Sequence, residues 1–160
     1  MKLKYRLCII ITIAVIACTQ WVPAFAVSEA DLDLQAQAAI VMDAETGDIL
    51  YEKDAYSKRE PASTTKITTC MLALEYLDLD EEITASKEPN HLGTNIDIKK
   101  GETLTVEEML YGLMLGSAND AAVVLAEKIA GSVEEFCLMM DEKAAACGAR
   151  DTHFRNPNGL

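Results

Sequence analysis

Pro61-Ala62-Ser63-Thr64-Thr65-Lys66-Ile67-Thr68-Thr69-Cys70-Met71 is the stretch on which the reading of this chain turns. Beyond Ser63, the apolar residues Ile67, Cys70, Met71, Leu74 and Leu77 recur at helical spacing and predict a helix with one buried face. Ser63 then stands at the helix start, and Lys66, three residues on, shares its face. A serine hydroxyl is a poor nucleophile until a neighbouring base takes its proton. Lys66 is placed to be that base if it is neutral, and burial beside another cation lowers a lysine pKa from about 10.4 toward neutrality. Backbone N–H groups at the helix start would stabilise the oxyanion formed on attack. Alone, the pair reads equally as a helix cap followed by a solvated lysine.

The flanking segments narrow that choice. Ala39 to Asp43 and Asp48 to Glu52 are β-prone runs joined by Ala44-Glu45-Thr46-Gly47, a hairpin in which Gly47 takes a positive φ. Two strands are marginal alone, so the hairpin implies a larger sheet. Downstream of the helix, Leu92 to Gly101 reads as a loop or short hairpin. Thr105-Val106-Glu107-Glu108 is a capping-box signal ahead of apolar Met109, Leu110, Leu113 and Met114. That helix stops at Gly116, and Ser117-Ala118-Asn119-Asp120 opens another that ends at Gly131. Ser132 caps a third, stopped by Gly148. Short, capped, closely connected helices make a compact cluster. The final residues, Thr152 to Leu160, are loop-like, and the chain reads as cut off, with strands still owed to the sheet.

At the other end, Lys2, Lys4 and Arg6 precede the apolar run Cys8 to Ala17 and the small-x-small site Ala24-Phe25-Ala26. Residues 1–26 therefore read as a signal peptide for export, too short in apolar run for a spanning helix. Val15-Ile16-Ala17-Cys18 offers a rival site that would leave a lipid on Cys18. Residues 27–38 read as a linker and 39–160 as one domain. The formal charge is −12, and a leader without acidic residues makes the mature chain more acidic still. No nucleic-acid partner is expected on that balance. Cys70, Cys137 and Cys147 are odd in number and widely spaced, and read as small apolar residues in helices. His91 and His153 lack a second ligand at helical spacing, and no metal site is expected.

Ser63-x-x-Lys66 and Ser117-x-Asn119 are two of the three motifs shared by penicillin-binding proteins and class A β-lactamases, and they occur in that order. Together with Asp43 to Tyr51, Lys100 to Glu108, Leu110-Tyr-Gly-Leu113, Ser117 to Ala122 and Thr152 to Leu160, they make the mature chain resemble the D-alanyl-D-alanine carboxypeptidase family of low-molecular-mass penicillin-binding proteins. The resemblance implies an α/β fold of the α+β type: an antiparallel sheet flanked by a helical cluster, incomplete here at the C-terminus. It implies that Ser63 forms an acyl-enzyme with peptidoglycan stem peptides ending in D-alanyl-D-alanine, and with β-lactams as inhibitors. Lys66 would be the general base, Ser117 a proton relay and Asn119 the holder of Lys66 and of the substrate amide. No cofactor is implied.

Two departures bear on this. The third motif, Lys-Thr-Gly, has no counterpart here, and Asn158 stands where the family often has histidine. A truncated domain of this kind is expected neither to fold stably nor to hydrolyse substrate alone, and membrane attachment would fall to a missing C-terminal region. A β-lactamase of the same fold is the nearest rival, although Ala118 occupies the middle of the second motif and no Glu-x-x-x-Asn loop is visible. A non-catalytic wall-binding or penicillin-sequestering protein is the other, set against two intact serine motifs.

Overall fold

The computed structural model describes residues 34–89 and 92–160. The expected signal peptide, Cys18, His91 and most of the expected linker lie outside the described residues. The chain divides into two units, Met1–Lys58 and Arg59–Leu160.

The first unit holds a hairpin of β1 (Ala39–Met42) and β2 (Ile49–Lys53), paired antiparallel from Ala39 opposite Lys53 to Met42 opposite Ile49, with an irregularity between Val41 and Met42. Its turn is built by Asp43, whose Oδ1 accepts from the Glu45 and Thr46 amides at 3.0 and 2.7 Å. Those bonds hold the carboxyl of Asp43 below its ordinary pKa. Gly47, at φ 78°, closes the turn in a conformation that an L side chain would strain. Ile40, Val41, Met42, Ile49 and Leu50 are all exposed.

The second unit is the helical cluster. A 3₁₀ turn, Ala62–Thr64, runs into α1 (Thr65–Tyr76). The short strands β3 (Glu82–Thr84) and β4 (Thr103–Thr105) then pair antiparallel across the intervening loop. Helices α2 (Val106–Leu115), α3 (Asn119–Ala130) and α4 (Val133–Ala146) follow. Thr105 and Glu108 cap α2 reciprocally, at 3.2 Å from the Glu108 amide to Thr105 Oγ1 and 2.9 Å from the Thr105 amide to Glu108 Oε2. Ser132 Oγ caps α4 by accepting from the Glu135 amide at 3.1 Å, as its position before the apolar run implies.

Helix α3 is the hub, packed against α1, α2 and α4. Its Ala121, Ala122 and Ala126 are fully buried, and these small side chains let the neighbouring helices approach. Val106, Met109, Leu113 and Leu125 fill the space between α2 and α3 with Ile83 and Ile98. A second cluster, Leu72, Ala126, Phe136 and Met140, joins α1, α3 and α4 and receives Phe154 from the tail.

Two expectations change. The stripe Ile67, Met71, Leu74 of α1 is exposed, and Thr65, Lys66, Thr69, Leu72 and Ala73 are the buried set. The exposed face of the helix is apolar, and the face that packs mixes Leu72 and Ala73 with polar Thr65, Lys66 and Thr69. Cys147 lies just past the end of α4 and is exposed, whereas Cys70 is half-buried and Cys137 buried.

Candidate active site

The fold brings Ser63, Lys66 and Ser117 together. Ser63 sits in the exposed 3₁₀ turn, and the next helical turn carries Lys66 back toward it, as three-residue spacing requires. Lys66 Nζ donates to Ser63 Oγ at 3.0 Å. From the turn between α2 and α3, Ser117 Oγ donates to Ser63 Oγ at 3.1 Å.

Both turns are strained. Ala62 has φ 48° and Ser117 φ 54°, left-handed conformations that cost a non-glycine residue roughly 1–2 kcal/mol each. The surrounding bonds hold them there: Ala118 donates its amide to Gly112 O at 3.1 Å and Asn119 to Thr94 O at 2.8 Å. Ser117 is thereby aimed at Ser63 instead of continuing the helix.

Lys66 is 2 % exposed, deep for a lysine. Burial pushes its pKa below the ordinary lysine value. Its second partner is the Asn158 carbonyl, which accepts from Nζ at 2.9 Å.

Asn119 is placed differently from the expectation. It is 3 % exposed, and its Nδ2 donates to Leu92 O at 2.8 Å. Its Oδ1 is buried and has no hydrogen-bond partner among the described residues, so the implied contact with Lys66 is not made. An orphaned buried carbonyl costs about 1–3 kcal/mol and is an acceptor awaiting an N–H donor. Gly93 lets the loop lie this close, since a Cβ there would fall 2.6 Å from Asn119 Nδ2.

Sequence reasoning passed over two supporting groups. Asp120, fully buried, accepts from the Ile96, Ile98 and Ala121 amides at 3.2, 2.9 and 2.9 Å, pinning the loop to the start of α3. Thr69, also fully buried, donates to Pro157 O at 2.6 Å. The signal for Thr69 was present: Ser63, Lys66 and Thr69 recur at three-residue intervals from the 3₁₀ turn into α1. His153 is taken by Asp141, with Nδ1 and Oδ2 2.7 Å apart.

The family model described as D-alanyl-D-alanine carboxypeptidase matches residues 24–160. The chain belongs to the D-alanyl-D-alanine carboxypeptidase family. Within it, the chain is 39 % identical over 136 residues to D-alanyl-D-alanine carboxypeptidase DacF of Bacillus subtilis, covering 81 % of this chain and 35 % of that protein. With DacB2 of Mycobacterium tuberculosis it is 36 % identical over 129 residues, covering 80 % and 44 % respectively. A crystal structure of a D-alanyl-D-alanine carboxypeptidase from Mycobacterium tuberculosis superimposes with a TM-score of 0.78 at 34 % identity, over 88 % of this chain and 53 % of that one. Penicillin-binding protein D2 of Listeria monocytogenes, in its cefotaxime-bound form, gives a TM-score of 0.72 at 30 % identity, over 81 % and 54 %. The fold is that of the family's penicillin-binding proteins, mixed helix and antiparallel sheet, and the chain spans between a third and a half of these two curated relatives.

Proposed function

We propose that the protein is a serine-type D-alanyl-D-alanine carboxypeptidase that trims the terminal D-alanine from peptidoglycan stem peptides. The observation that carries this is Ser63 Oγ held 3.0 Å from a buried Lys66 Nζ and 3.1 Å from Ser117 Oγ. In that role Lys66, once neutral, takes the Ser63 proton as Oγ attacks the carbonyl carbon of the penultimate D-alanine. The tetrahedral oxyanion forms beside the N–H groups of the helix start. It collapses with cleavage of the C–N bond, and the leaving amine takes a proton through Ser117. Water, deprotonated by the same lysine, then hydrolyses the ester and frees Ser63. Asn119 is assigned to the substrate amide on the family resemblance alone, its Oδ1 being buried in this structure.

A β-lactam acylates the same serine in this reading. An export leader read in residues 1–26 supports a reaction outside the cytoplasmic membrane, where the substrate lies; among the described residues no helix is long and apolar enough to cross a membrane. The test is Ser63→Ala in the purified protein carrying the complete catalytic domain, since these residues alone are expected not to turn over substrate. It is expected to abolish both D-alanine release from a stem pentapeptide and covalent labelling by a fluorescent penicillin. Labelling that survives the substitution refutes the assignment, and rapid turnover of the penicillin would mark a β-lactamase instead.

A further inference from the structure

The base of the proposed mechanism is held by the main chain of a distant segment. Lys66 Nζ lies between Ser63 Oγ and the carbonyl of Asn158, 92 residues away in sequence. One turn further along α1, Thr69 Oγ1 donates to the adjacent carbonyl, that of Pro157. Two successive carbonyls thus dock on two successive turns of the helix that carries the nucleophile. Gly159 closes the contact: at φ 84° it lies so near that a Cβ would fall 1.9 Å from Ala62 O and 2.9 Å from Thr65 Oγ1. Only glycine fits there, on grounds of both φ and space.

The segment is itself fixed. Asn156 Oδ1 accepts from the Gly159 amide at 2.6 Å and the Asn158 amide at 3.2 Å, making a tight turn. Upstream, Asp141 Oδ1 accepts from the Phe154 amide at 2.7 Å, while Phe154 packs on the α1, α3, α4 core. Pro157 is among the most deeply buried residues.

We infer that Pro157-Asn158-Gly159 is a positioning latch for the general base, holding Lys66 with the Asn158 carbonyl and sealing it from water with Gly159 against the Ser63 turn. The inference rests on the carboxypeptidase reading. A carbonyl accepts from an amine whether or not the amine is protonated, so it holds Nζ while the nitrogen lone pair is turned to the Ser63 hydroxyl. A side-chain carboxylate would instead fix the proton on the lysine. The latch is a property of the backbone, which explains how asparagine serves at a position where the family often has histidine: its side chain accepts from the Leu160 amide, at 3.2 Å, while its carbonyl meets Lys66.

The experiment is the pH profile of Ser63 acylation by a fluorescent penicillin, with thermal melting of each variant. Gly159→Ala must push the segment off Ala62 and admit water to Lys66. Acylation is expected to fall about 10–100-fold, and its rising limb to move to higher pH. Thr69→Val removes the Pro157 anchor with little change of shape and is expected to move the limb the same way, while Thr69→Ser restores it. Should Gly159→Ala fail to fold, the Thr69 pair decides. Variants that melt earlier yet keep the original pH limb overturn the latch and leave the nucleophile assignment standing. Absence of labelling in the unaltered protein with its catalytic domain complete overturns the carboxypeptidase reading, and the latch with it.

Discussion

Lys66 concentrates the chemistry and the energetics in one residue. Its pKa is lowered by burial, so the folded chain holds the proton less tightly than the unfolded chain, whose lysine sits at about 10.4. Between the two pKa values the unfolded state binds more protons, and stability rises with pH across that window. Below the folded pKa both states are protonated and the penalty of the buried charge is complete. Lys66→Met, which removes the charge, is therefore expected to show its most favourable stability difference from the parent below the lowered pKa of Lys66, shrinking as pH rises through it toward the ordinary lysine value. Chemical denaturation of both proteins across that range measures it, and a difference independent of pH would refute the sign. Acylation of Ser63 is expected to rise over the same window as the free amine appears. The Ser63–Lys66 pair was legible from spacing because local helical geometry brings 63 and 66 together, whereas Ser117 entered only through the resemblance of its motif. The Lys66 partner Asn158 was not, since no local rule relates residues 92 apart. Nor was the loop carbonyl that captures Asn119 Nδ2, supplied by Leu92 across 27 residues.

Among the elements, boundaries were the best-read feature, because caps are local chemistry. The Thr105–Glu108 box satisfies donors at both ends, and it also sits where β4 hands over to α2, with Thr105 paired opposite Glu82. Thr105→Ala loses the Oγ1 acceptor and is expected to destabilise the protein by about 1 kcal/mol, while Thr105→Ser recovers most of it. Equilibrium denaturation separates these values, and equal stability of all three proteins would show that the box contributes nothing. The facing of elements was read less well. In α1 the apolar spacing marked Ile67, Met71 and Leu74, yet the packed face is Thr65, Lys66, Thr69, Leu72 and Ala73. Periodicity counts apolar side chains, and it misses a face whose polar groups are buried because carbonyls from elsewhere satisfy them. The β3–β4 pair was likewise invisible, being two three-residue strands joined through hydrogen bonds between residues about 20 apart.

At the scale of the molecule, the two units differ in what holds them. Arg59–Leu160 has two buried clusters linked through α3 and α1, with Phe136 and Met140 in one and Met109, Leu113 and Leu125 in the other. Burial of this kind contributes about 1.5–3 kcal/mol per large side chain. The hairpin of the first unit exposes Ile40, Val41, Met42, Ile49 and Leu50, so its strands keep their ladder hydrogen bonds but bury little apolar area. A two-stranded ladder without a packed face is marginal in water, and its amides open at little cost. In a polypeptide of these 160 residues, hydrogen exchange is therefore expected to be fast throughout β1 and β2 and slow in α3 and the buried turns of α1 and α4. Peptide-level exchange by mass spectrometry reads this directly. Equal protection of the hairpin would mean that its exposed side chains are covered in solution. The expectation that such a polypeptide would not fold stably is then divided: the clusters supply α1 to α4 with a core, while among the described residues β1 and β2 expose their apolar side chains.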